Sequence, residues 1–137
     1  MGTWASDPFG NDDACDWSYG LAAASNLSVI DETFSKIIAA AVDGEIGSSD
    51  AAEGVAAAEV VARLIGNSGE KNSYTEDVDK WVARSKYKPD QNLIKKARAV
   101  LELVLSESSE LYAVWKDSED FEAWKKSVLD TRSRISA

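Results

Sequence analysis

Apolar residues recur along this chain with the period of an α-helix. Ile30, Phe34, Ile37, Ile38 and Ala41 fall at i, i+4, i+7, i+8 and i+11, one stripe on a helix over about 28–43. Ser28 can cap its start, Asp31 and Glu32 complement the positive N-terminal end, and Gly44 can end it. In a second stretch, from Asp50, Val55, Ala58, Ala62 and Ile65 share a face. Asp50 and Glu53 have capping-box spacing there, and Ala51, Ala52, Ala56, Ala57 and Ala58 leave room for a close neighbour. Gly66 to Gly69 closes it. Thr75-Glu76-Asp77 then signals a helix start, with Tyr74, Val78, Trp81 and Val82 as the stripe, and Lys88-Pro89-Asp90 breaks it.

A long helix follows on Leu93, Ala97, Leu101, Val104 and Leu105. After a polar seam at Glu107–Glu110, Leu111, Val114 and Trp115 make a short helix. Asp117 or Ser118 opens the last one, with Phe121, Trp124, Val128 and Leu129 inward. At the front, Asn11 can cap a helix that carries Asp12 and Asp13 in its first turn and buries Ala14, Trp17 and Leu21. No alternating run of β-branched residues reads as a strand, and no repeat of helical units is evident. The expected class is all-α: a single compact bundle of about six mostly antiparallel helices over 1–137. Residues 1–10 form an extended arm, which Trp4 and Phe9 tack onto the bundle.

Composition agrees with a packed globule: 137 residues, 45% of them hydrophobic, with five Trp. Four of these (Trp17, Trp81, Trp115 and Trp124) lie on stripes and read as core. The absences narrow the chemistry further. With no histidine there is no Ser-His-Asp or Cys-His nucleophile and no HExxH zinc site. Cys15 is the only cysteine, which excludes an intramolecular disulfide and a thiolate zinc site. A metal would need carboxylate and carbonyl oxygens, which suit Ca²⁺, Mg²⁺ or Mn²⁺. No EF-hand loop, Walker A motif, Rossmann glycine pattern or nucleophile elbow occurs, so no catalytic, metal-binding or cofactor-binding residue is assigned. No basic leader or long apolar run is seen, and the expectation is a soluble cytoplasmic protein with no membrane attachment.

Charge adds structure to this picture. The formal net charge is −9, and residues 1–65 hold eleven acids against Lys36 and Arg63, while residues 66–137 are balanced. Asp12, Asp13, Asp16, Asp43, Glu45, Asp50 and Glu53 are therefore a candidate acidic face for a basic partner. Lys80 to Arg98 is a basic block containing Trp81 and Tyr87, but overall acidity and the helical phase of Trp81 make nucleic acid an unfavoured partner. Asp12 and Asp16, one turn apart, could share an ion, yet capping by Asn11 with acids in the first turn accounts for the cluster more simply. Glu59 sits in an apolar run, where burial would require a partner and Arg63 at i+4 is available; a surface helix pair is the preferred reading. Asp16 could also reach back to Trp4 as a structural clasp.

The opening Met1-Gly2-Thr3-Trp4, continuing through Pro8-Phe9-Gly10-Asn11-Asp12-Asp13-Ala14-Cys15-Asp16-Trp17, resembles a bacterial family known only as a domain of unknown function, DUF4259. Its members tend to begin Met-Gly-x-Trp-Gly-x-Gly-x-Phe and continue Asn-Asp-x-Ala-x-Asp-Trp. The block Ala57-Ala58-Glu59-Val60-Val61-Ala62 and the C-terminal Ser109-Glu110-Leu111-Tyr112, Trp115, Phe121 and Trp124 are similar to it too, so the resemblance spans nearly the whole chain. Ala5 and Asp7 replace two glycines that the family favours. The resemblance implies a small helical bacterial protein and no particular activity. The preferred expectation is a non-catalytic interaction protein that binds a basic protein partner, for example an immunity- or antitoxin-type inhibitor of a cationic nuclease. The alternative is a carboxylate-based, divalent-metal-dependent hydrolase. A third reading is an oligomeric module that uses an exposed Ala-rich face near 51–62; whether the chain is a monomer or a homodimer is left open.

Overall fold

The computed structural model describes residues 8–69, 71, 75–85 and 87–135. Seven helices are found among them: α1 (Asp12–Ala22), α2 (Ser28–Val42), α3 (Ser48–Leu64), α4 (Glu76–Ser85), α5 (Gln91–Val104), α6 (Glu110–Lys116) and α7 (Phe121–Arg134). No strand occurs among the described residues. A lone parallel bridge joins Ile46 to Ser109 and ties the α2–α3 turn to the α5–α6 turn.

Helix α3 is the hub. It packs on α1, α2, α4, α5, α6 and α7, and every residue from Gly54 to Arg63 is buried. A helix that is apolar on every side is stable only inside other helices. The alanines make this possible, because a ring of larger side chains could not be surrounded at close range. Gly54 shows how tight the approach is: a Cβ there would meet the Ile37 side chain from α2 and stand 3.0 Å from Val100 Cγ1 of α5. The exposed Ala-rich face near 51–62 is thereby overturned. Ala51, Ala52, Ala56, Ala57, Ala58 and Ala62 are all buried within the chain and offer no surface to a second copy.

Local signals set the helix ends, with some corrections. The Asn11 carboxamide oxygen accepts from the Ala14 N–H at 2.8 Å and caps α1 as expected. Asp90 caps α5 through Leu93 N–H, and Ser109 caps α6 through Tyr112 N–H. Gly44 and Gly66 end α2 and α3 at φ of 101° and 92°, the left-handed geometry that a Cβ disfavours. The capping box at Asp50 is not formed. Helix α3 starts earlier, after Gly47, and both acids turn to Lys36 instead. Ser28 is the first residue of α2 and makes no cap bond; Asn26 accepts its N–H. In α7 the buried stripe is Trp124, Val128 and Thr131, and Leu129, expected inward, is 44% exposed because it lies one residue, about 100°, off that stripe. Trp81, Trp115 and Trp124 are buried, Trp17 is half-buried, and Tyr74 lies outside the described residues.

The helix directions give the molecule two distinct ends. One holds the starts of α1 and α3, the end of α2 and the α5–α6 turn. The other holds the α1–α2 loop, where Arg84, Trp81 and Tyr87 donate to the carbonyls of Ala22, Ala24 and Ser25. The 15 residues of α2 separate these ends by about 22 Å.

Candidate functional site

The acidic end is built from four places in the sequence. Helix α1 brings Asp12, exposed, and Asp13, half-buried, in its first turn. The end of α2 and the following turn bring Asp43 and Glu45, both exposed. The first turns of α3 bring Asp50 and Glu53, which reach Lys36 of α2 at 3.1 and 3.6 Å. The fourth contribution was missed from the sequence. Ile46 N–H donates to Ser108 O and Glu110 N–H to Ile46 O, which carries Glu107 and Glu110 to this end. Glu110 Oε1 then accepts from Ser48 N–H at 3.4 Å. Nothing in spacing could reveal a contact between residues 62 positions apart.

Within this end, two neighbouring acids act on Glu53. Burial raises the Glu53 carboxyl above its ordinary value; Lys36 pulls it down without cancelling this, while Asp50 and Asp13 repel it. Lys36 is itself held further into its charged form, first by its hydrogen bond to Asp50. The two directions agree once the partners are separated: Asp50 is the lysine's main partner, and Glu53 is the under-compensated acid. Asp50 and Glu53 thus share a single lysine, with Asp13 close enough to repel Glu53. Asp16 is exposed one turn along α1, and the clasp to Trp4 lies outside the described residues.

The arm and α1 are joined by other means. Phe9 is fully buried, and its carbonyl accepts from Cys15 Sγ at 3.3 Å. Trp17 Nε1 donates to Thr33 Oγ1 of α2 at 2.9 Å. These contacts, with Asn11 as cap, hold Phe9, Cys15 and Trp17 of the opening motif against the fold and fix the start of α1, which carries Asp12 and Asp13.

The second polar cluster corrects an expectation. Glu59 and Arg63 are not a surface pair, since their side chains are 3% and 1% exposed. Glu59 Oε1 accepts from Arg134 Nη2 at 2.6 Å and Thr131 Oγ1 at 3.0 Å. Its Oε2 accepts from Arg134 Nη1 at 2.8 Å and from Arg63 Nη1. Arg63 Nε reaches Asp79 at 2.9 Å, and Thr75 donates to the other oxygen of Asp79. Arg134 also pairs with Asp130 and exchanges bonds with Asn67. The unbroken apolar run around Glu59 was the signal that it must be buried. Arg134, 75 positions away, left no local trace.

This cluster is a clamp. A carboxylate has about four acceptor positions, and four donors occupy those of Glu59, so it has no lone pair aimed at a substrate proton. Its charge is matched by two guanidinium groups, one of them in bidentate fork geometry. Contact with Glu59 raises the Arg134 pKa, chiefly through the hydrogen bond, against the opposing effect of burial. The result ties α3, α4 and α7 together. Among the described residues no group of three or more carboxylates or thiols is arranged to hold a metal ion.

No helix among the described residues is long and apolar enough to cross a membrane. No curated protein matches the chain, and neither does any solved structure. A family model does match, over residues 2–127. The chain belongs to the family described as a domain of unknown function, DUF4259.

Proposed function

We propose that this is a small, non-catalytic interaction protein that binds a basic protein partner through its acidic end, acting in the bacterial cytoplasm. The supporting observation is the set of acids that α1, the α2–α3 turn and α3 bring to one end, where Asp50 and Glu53 share Lys36 and Glu110 at the start of α6 reaches Ser48. Such a surface speeds encounter with a cationic partner and rejects anionic ones. An immunity- or antitoxin-type inhibitor covering a cationic nuclease is the specific form that suits a compact acidic bundle.

The saturation of Glu59 by its four donors further supports a non-catalytic role, because the most buried carboxylate among the described residues is committed to the fold. Retention of partner proteins on the immobilised chain tests the proposal. A basic protein is expected to bind at low salt and to weaken steeply as salt rises past physiological strength, where the screening length falls below about 8 Å. Retention of no basic protein at low salt overturns the proposal.

A further inference from the structure

The end opposite the acids carries an open groove of about 640 Å³, between the start of α2 (Leu27, Ser28, Asp31) and Lys88 to Lys96 at the start of α5. That volume lies within the range of small-molecule sites, roughly 300–1,000 Å³. The lining has an apolar part in Leu27 and Leu93 and polar groups in Ser28 and Asn92. Its charges are three lysines and two aspartates, and the aspartates are already engaged. Asp31 accepts from Lys96 at 2.8 Å, and Asp90 caps α5 through Leu93 N–H at 2.8 Å. Lys88 and Lys95 are exposed and have no carboxylate within ion-pair distance among the described residues. A chain of net charge −9 thus keeps two uncommitted ammonium groups on one groove.

We infer that this groove binds a small organic polyanion, with a phosphate-bearing end held by Lys88 and Lys95 and an apolar portion against Leu27 and Leu93. A compact anion fits better than an extended one, because acids elsewhere on the surface repel a long polyanion beyond the groove. The inference is independent of the partner proposed for the acidic end, which lies at the far end of α2.

The test uses the full chain, with inorganic pyrophosphate as probe and backbone amide NMR shifts as readout. Saturable shifts confined to residues 27–31 and 88–96 are expected. Lys88→Gln with Lys95→Gln, two exposed positions that leave the fold intact, should weaken binding at least about tenfold. Absence of shifts at millimolar pyrophosphate, or shifts unchanged in the double variant, overturns the inference. Sulfate binding as tightly as pyrophosphate does so too, since it marks non-specific charge. A single-stranded oligonucleotide that binds more tightly and spreads the shifts to Lys80 and Arg84 also overturns it, in favour of an extended nucleic-acid surface.

Discussion

Replacing Glu59 with alanine removes the acceptor on which the clamp converges. Arg63, with a side chain 1% exposed, then keeps Asp79 but loses its buried partner, and Arg134 loses a bidentate one. Removing one member of a buried ion pair costs about 3–5 kcal/mol, because the charge left behind stays desolvated. Two features bear on where this case falls. Arg134 is 18% exposed and retains Asp130, so it can relax toward water, which argues for the lower half of the range. Thr131 is fully buried and loses an acceptor, though it keeps Ser127 O, which adds little. A loss of about 3–4 kcal/mol follows, set against a total stability of roughly 5–15 kcal/mol for a domain. Urea unfolding should show a lower midpoint at unchanged slope, and melting should fall by about 10–15 °C. Thr131→Val, which removes one of the four donors, should cost about 1 kcal/mol and serves as a milder probe if the alanine variant does not fold. A loss below about 1 kcal/mol for Glu59→Ala would refute the reasoning, since that is the value of a solvated surface pair.

Other outcomes follow from the same geometry. Gly54→Ala gains helix propensity worth about 1 kcal/mol but overpacks Ile37 and Val100, so a net loss of about 1–2 kcal/mol is expected in denaturant unfolding. Asn11→Ala should cost about 1 kcal/mol by removing the cap on Ala14 N–H, and Asn11→Gly only a few tenths. Glu53 has a folded-state pKa above its ordinary one, so the folded chain holds that proton more tightly and stability declines as pH rises between the two values. Glu53→Gln should therefore remove a decline in stability as pH rises above the ordinary glutamate value. Unfolding curves at pH steps across that range check the sign; a steeper decline in the variant contradicts it.

Much of the fold was legible because burial follows helical phase. The stripe Ile30, Phe34, Ile37 on α2 and the stripe Leu93, Ala97, Leu101, Val104 on α5 are buried as their spacing requires. Helix α3 was harder to read. The three- and four-residue spacing of Val55, Ala58, Ala62 and Ile65 suggested one buried face, whereas small residues on every side let six helices surround it. Capping at Asp50 looked plausible locally but lost to Lys36, which belongs to another helix and offers an ion pair. The acids themselves were legible, but their meeting was not. Ile46 bridges to Ser109 through backbone groups that any residue carries, so the arrival of Glu110 at the acidic end had no sequence signature. Glu59 lay between these cases: its apolar surroundings demanded burial, yet Arg63 at i+4 offered a cheaper surface explanation.

The most direct test of the proposed role separates the acidic end from the net charge. Asp43→Lys, Glu45→Lys and Asp50→Lys reverse three acids of that end, and Asp117→Lys, Glu119→Lys and Asp120→Lys reverse three acids around the α6–α7 turn, changing net charge equally. Each triple variant is immobilised and challenged, at low salt, with the basic proteins that the parent chain retains. The acidic-end variant should lose them and the charge-matched variant should keep them. Equal loss in both would contradict the account, because it would make the −9 a diffuse property of the surface with no binding end.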